Sequence, residues 1–225
     1  MKTLLAIMSY AKANATVARH FPWWLRSECD MIGVGHIDTE CVWPEHPRFL
    51  GSIRCQKDSY AVGDNHILRF IDVLRHFLHS PDLKGYGAIC VIEYDGIFLK
   101  PFPRIRPGEI IMKLAGNRDG DFRGSKYWHT PWAMDRIMAG KILTWGKAMH
   151  AAGLIEHGFI DRWLGLMFDL HGVDVTDTGC ATYTQNTIDN QEKILECRRA
   201  VENGAWYVHG IKSAEVLQAI TLGIA

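Results

Sequence analysis

No stretch of this 225-residue chain approaches the ~20 consecutive apolar residues of a membrane-spanning helix, so an integral helical membrane protein is excluded. Zinc spacing is missing too. The six cysteines, at 29, 41, 55, 90, 180 and 197, form no C-x-x-C pair and no Cys/His ligand set. Scattered thiols of this kind behave as small hydrophobes in a reducing compartment, so the expected location is the cytoplasm, or the host cytoplasm if the source is viral. There is no internal repeat and no low-complexity tract. There is no G-x-S-x-G elbow and no Walker A loop, and residues 9–14 contain no glycine to cradle a phosphate. Gly33-x-Gly35 lacks the third glycine of a dinucleotide fingerprint and follows the second strand rather than the first. A Rossmann oxidoreductase is therefore disfavoured. Net charge is also absent, with 25 Lys and Arg against 25 Asp and Glu.

What is present describes a globular protein. The chain is 48% hydrophobic and 22% charged, ordinary values for a single domain that folds without staples. The neutral total hides an asymmetry. Residues 100–150 carry ten basic and four acidic side chains, a local charge of +6, with Tyr127, Trp128, Trp132 and Trp145 interleaved. This reads either as a solvated rim over buried aromatics or as a surface for an anionic, ring-bearing partner.

Hydrophobic spacing predicts the element order. Residues 4–9 form a short apolar run, residues 14–26 a helix and residues 31–35 a second strand, which together begin a parallel α/β sheet. The segment 39–63 reads as mostly irregular. Asp64 opens an amphipathic helix whose stripe is Ile67, Ile71, Leu74 and Leu78, stopped at Ser80-Pro81. A strongly apolar strand covers 86–92, and shorter extended runs follow at 97–99 and 110–112. Thr130-Pro131 has the form of a helix start, predicting a helix from there to about Ala152. Further helices are expected over 159–171 and 188–203, a last strand over 206–208 and a C-terminal helix from Ser213. The whole is expected to be one α/β domain with a mostly parallel central sheet flanked by helices.

Two motifs carry chemistry. Glu93-Tyr94-Asp95 closes the apolar strand, and alternation in extended backbone sends both carboxylates to one side. Paired carboxylates repel unless a cation lies between them, and a hard divalent ion sharing phosphate oxygens satisfies them. An acidic turn neutralised by nearby Lys or Arg has the same sequence. Near the C-terminus, His209-Gly210-Ile211-Lys212 follows an apolar strand. A neutral imidazole suits Mn²⁺ and an ammonium suits phosphate, while a strand-end His bonded to a carbonyl is the plainer alternative.

An E-x-D turn after an apolar strand, followed much later by H-G-x-K, resembles the GT-A type glycosyltransferases. The resemblance implies a single GT-A-like (Rossmann-like) domain with a nucleotide-sugar-binding half (1–99) and an acceptor-binding half (100–225). It implies a divalent cation, Mn²⁺ or Mg²⁺, held by Asp95 and His209. Glu93 would meet the metal shell or the donor ribose, and Lys212 the diphosphate. Ser9, Tyr10 and Asp38 would contact the nucleotide, and Asp161, in the first turn of a helix, would serve as base, with His157 in reserve. The donor implied is a nucleotide-diphospho sugar, with a UDP-sugar foremost.

Charge and size extend this to DNA carrying hydroxymethylated pyrimidines as acceptor, with Tyr127, Trp128 or Trp132 stacking on or replacing a flipped base. A surface polysaccharide or a small molecule is an equal alternative. A nucleotidyltransferase and a non-catalytic nucleotide-sugar-binding module remain the other classes. Asp119-Gly120-Asp121 reads as a lid or solvated turn, and the polar stretch 176–190, with Asp177 and Asp189, as a loop near sugar or acceptor.

Overall fold

The computed structural model describes residues 1–9, 13–36, 41–55, 64–114, 128–153, 160–178, 181–183 and 190–222. Among these, the first half contributes β1 (Thr3–Met8), α1 (Asn14–Trp24), β2 (Asp30–His36), β3 (Phe49–Cys55), α2 (Asp64–His79), β4 (Ala88–Glu93) and β5 (Ile97–Phe98). The second half contributes β6 (Ile110–Leu114), β7 (Trp128–Asp135), α3 (Arg136–Ala151), α4 (Ile160–His171), β8 (Thr176–Asp177), β9 (Ala181–Tyr183), α5 (Asn190–Glu202), β10 (Tyr207–His209) and α6 (Ala214–Thr221). Seven strands form one sheet in the order β3-β2-β1-β4-β7-β6-β8, and β5-β10-β9 form a smaller one. β7 runs antiparallel to both its neighbours, while the other strands of the large sheet share one direction. The α/β class and the mostly parallel sheet thus agree with expectation.

Alternation along the strands builds two cores. Leu4, Ala6 and Met8 of β1, with Ile89 and Val91 of β4, pack on one face under α2, α3 and α4. Leu5 and Ile7, with Cys90 and Ile92, pack on the other against Trp24, Phe98 and Tyr207. Period-two side chains on a sheet covered on both faces require such uninterrupted apolar runs. A third cluster joins Ile97, Val208, Cys197, Val216 and Ile220 where α5 and α6 cover the small sheet.

Two expectations are corrected. Residues 130–152 are not one helix, since Trp128–Asp135 is a strand and the helix begins at Arg136. Its cap is Asp135, whose carboxylate accepts from the Met138 amide at 2.7 Å. Pro131 is tolerated inside the sheet because the β6–β7 register slips between Ile111 and Lys113, so no regular ladder position needs the missing N–H. The segment 39–63 contains β3, an edge strand whose half-buried alternation is too weakly apolar to stand out. β8 and β9 were missed for the same reason, being two and three residues long in a polar stretch.

Two arginines pin the frame. Arg136 donates to the carbonyls of Phe77 and Leu78 at the open end of α2 and to those of Leu83 and Tyr86 beyond it. Arg69, buried on α2, donates to the carbonyls of Ser9 and Val34 and so ties the carboxyl ends of β1 and β2 together.

Candidate metal centre

The large sheet changes direction of growth at β1: β2 and β3 lie on one side of it and β4 on the other. In open α/β sheets the crevice at the carboxyl ends of such a pair of strands receives ligands. Here β1 and β4 are in register to their last residues, with Met8 opposite Glu93. Ser9 follows immediately. Its hydroxyl is buried and has no hydrogen-bond partner among the described residues.

Glu93 to Gly96 is a tight turn closed by the Gly96 amide on the Glu93 carbonyl at 3.1 Å. Glycine is required at 96 because a Cβ there would run into the Tyr207 hydroxyl. Trp24 of α1 donates its indole N–H to the Gly96 carbonyl at 2.7 Å, fixing the turn from below. The small sheet then brings β10 across. The Ile211 amide donates to the Asp95 carbonyl at 2.9 Å, and Gly210 bends the chain with φ of +86°. Two strand-end segments more than a hundred residues apart are thereby locked face to face.

His209 Nε2 lies 2.8 Å from Glu93 Oε2 and 3.0 Å from Asp95 Oδ1. The closer contact, to Glu93, has hydrogen-bond geometry. Asp95 Oδ1 is buried with no hydrogen-bond donor among the described residues, the environment in which a carboxylate oxygen takes a cation. One donor atom from each of Glu93, Asp95 and His209 falls within 4.8 Å of the others. Lys212 Nζ stands 3.7 Å from Asp95 Oδ2 at the exposed edge. Burial pulls the His209 imidazole toward the neutral form, but the adjoining Asp95 and Glu93 carboxylates outweigh it and raise its pKa to about 10. Without a metal, a proton holds the two carboxylates together. Two carboxylates and an imidazole form an oxygen and nitrogen donor set that could hold a divalent metal ion.

A second layer supports the first. His20 of α1 is fully buried, with Nδ1 2.9 Å from the Thr16 carbonyl. Burial lowers its pKa, against the opposing influence of Asp95 and the Ile211 backbone, so it is neutral at pH 7. The buried Tyr207 hydroxyl lies 3.2 Å from Thr130 Oγ1, and burial pushes its pKa well up.

Asp161 is in the first turn of α4, as expected, and its carboxylate lies 3.0 Å from His129 Nδ1. The His129 and His209 rings are 6.4 Å apart between centroids. His129 was missed because residues 128–135 read as a loop and helix start. Only as a strand beside β4 do they carry His129 to the carboxyl end of the sheet. Tyr10, Asp38, His157, Asp119, Asp121, Tyr127 and Asp189 lie outside the described residues. Asp177 pairs with Lys113 at 3.7 Å. Trp128 and Trp132 belong to the core, where the Trp132 indole donates to the Trp128 carbonyl at 2.7 Å. Neither is placed to stack on a flipped base, which corrects that expectation.

No helix among the described residues is long and apolar enough to cross a membrane. No family model and no curated protein matches this chain.

Proposed function

We propose that this protein is a metal-dependent glycosyltransferase of GT-A type, moving a sugar from a nucleotide-diphospho sugar, foremost a UDP-sugar, to an acceptor hydroxyl. The observation that carries the proposal is the convergence of Glu93, Asp95, His209 and Lys212 at the β1–β4 switch of the sheet. Asp95 and His209 would hold a divalent cation, with Glu93 completing the set or meeting the donor ribose. When bound, that cation supplies positive charge to the diphosphate of the donor.

The chain's own residues account for the rest. The Lys212 ammonium, half exposed beside Asp95, is positioned to neutralise charge building on the leaving diphosphate. The buried Ser9 hydroxyl, at the end of β1, offers a hydrogen bond at the nucleotide end of the crevice. The Glu93–Gly96 turn is held by Trp24 and Ile211, so the carboxylates are pre-organised.

The acceptor is a hydroxyl-bearing molecule. The +6 segment supports DNA with hydroxymethylated pyrimidines, and a polysaccharide or small-molecule hydroxyl is the other class.

The test is release of nucleoside diphosphate from UDP-, GDP- and dTDP-sugars in Mn²⁺ and in EDTA, with water as the acceptor. Slow, Mn²⁺-dependent release from one donor is expected. Binding without release would assign a nucleotide-sugar-binding module, and neither binding nor release would overturn the reading.

A further inference from the structure

The triad leaves one pair of titratable groups beside it without a task. His129, at the start of β7, and Asp161, at the start of α4, which packs against β7, meet at 3.0 Å. Both are mostly but not fully buried, with side-chain exposures of 18% and 14%. His129 stands outside the set of donor atoms lying within 4.8 Å of one another. Its ring is nonetheless only 6.4 Å from that of His209.

The arrangement of an imidazole next to a centre for leaving-group departure, oriented from behind by a carboxylate, is that of a base with its positioning partner. Asp161 at Nδ1 selects the tautomer with the proton on that nitrogen, which keeps the lone pair on Nε2.

We infer that His129 is the catalytic base of this site and Asp161 its positioning residue, an assignment that rests on the glycosyl-transfer reading above. In the step, Nε2 takes the proton of the acceptor hydroxyl while that oxygen bonds to the anomeric carbon. The bond from this carbon to the diphosphate oxygen breaks, and its electron pair leaves with the nucleoside diphosphate. His129 becomes an imidazolium stabilised by Asp161, and its proton passes to water afterwards. A single displacement of this kind inverts the anomeric carbon.

The experiment uses the whole chain with Mn²⁺, a panel of α-linked UDP-sugars as donors and water as acceptor. His129→Ala and His129→Gln should each lower turnover by about 100-fold or more, and added imidazole should restore turnover to His129→Ala. Asp161→Asn should lower kcat by about tenfold or more with the KM for donor unchanged, and Asp161→Glu should recover part of that loss. Mn²⁺ binding, followed by loss of the free-ion electron paramagnetic resonance signal, should be retained in all four variants. The first-formed sugar should be the β-anomer by NMR.

Turnover within about threefold of wild type in the His129 variants would overturn the assignment. So would loss of Mn²⁺ binding together with activity, failure of imidazole to rescue, or an α-anomer as first product. Absence of Mn²⁺-dependent turnover from every donor in the wild-type protein would instead remove the glycosyl-transfer reading on which the assignment stands.

Discussion

His209 and His129 sit with ring centroids 6.4 Å apart, and each faces acid, yet the two surroundings ask for different chemistry. His209 is nine-tenths buried between two carboxylates, and its one Nε2 proton cannot serve both. The imidazolium and Lys212 together balance the two carboxylates, and a divalent ion would take the place of the proton between them. His129 faces one carboxylate among the described residues, that of Asp161, in a partly open position. The first environment favours a metal and the second a proton transfer. The lesson is that the number of carboxylates around an imidazole and their burial, more than the imidazole itself, decide its use.

The comparison breaks most sharply at Asp95. Asp95→Ala should reduce Mn²⁺ affinity by about 100-fold or more, beyond what loss of a supporting residue costs, and leave a cooperative unfolding transition. Calorimetric titration measures it, and unchanged affinity would place the ion elsewhere.

The next effect is pH dependence. A proton and a metal compete for His209 Nε2, so Mn²⁺ affinity should rise about tenfold per pH unit through the neutral range and level off near pH 10. The metal-free protein runs the other way. A raised pKa means a stabilising contribution that is complete below about 6.5 and lost as pH climbs through about 10. Chemical denaturation between pH 6.5 and 10 checks that sign.

A smaller effect is expected at Trp24. Trp24→Phe keeps the ring in the core but leaves the Gly96 carbonyl without its 2.7 Å donor, costing about 1–3 kcal/mol of stability. Urea unfolding would show it, and an unchanged midpoint would mean that the turn holds without the indole. Smallest is His129→Ala on metal binding, where Mn²⁺ affinity should stay within about threefold of wild type, an energy change below that of one ordinary hydrogen bond. A larger loss would merge the two histidine environments into one.

Much of this arrangement was readable from residue order. The apolar runs at 4–8 and 88–92 alternate between two covered faces, and such strands announce themselves by composition. Glu93, Asp95, His209 and Lys212 were legible because each ends a strand in a short motif, although the small sheet that joins them was not foreseen. The His129–Asp161 pairing was hidden. Thr130-Pro131 carries local helix-start chemistry, and pairing with β4 and β6 overrides it through a register slip that accommodates the proline. β3 and β8 lie at sheet edges, where burial is too slight to impress a pattern, and β9 is only three residues long.

The most direct test of the central claim is thermal unfolding of the protein with UDP, with Mn²⁺ and with both. At about 100 times its Kd, UDP should stabilise the Mn²⁺-loaded native state by about 2.7 kcal/mol, a midpoint shift of about 5–10 °C beyond that from Mn²⁺ alone and absent with UDP alone. The shift should vanish in Asp95→Ala. A UDP shift indifferent to Mn²⁺, or no shift with any nucleoside diphosphate, would contradict the account and leave Glu93, Asp95 and His209 as a structural clasp between the two sheets.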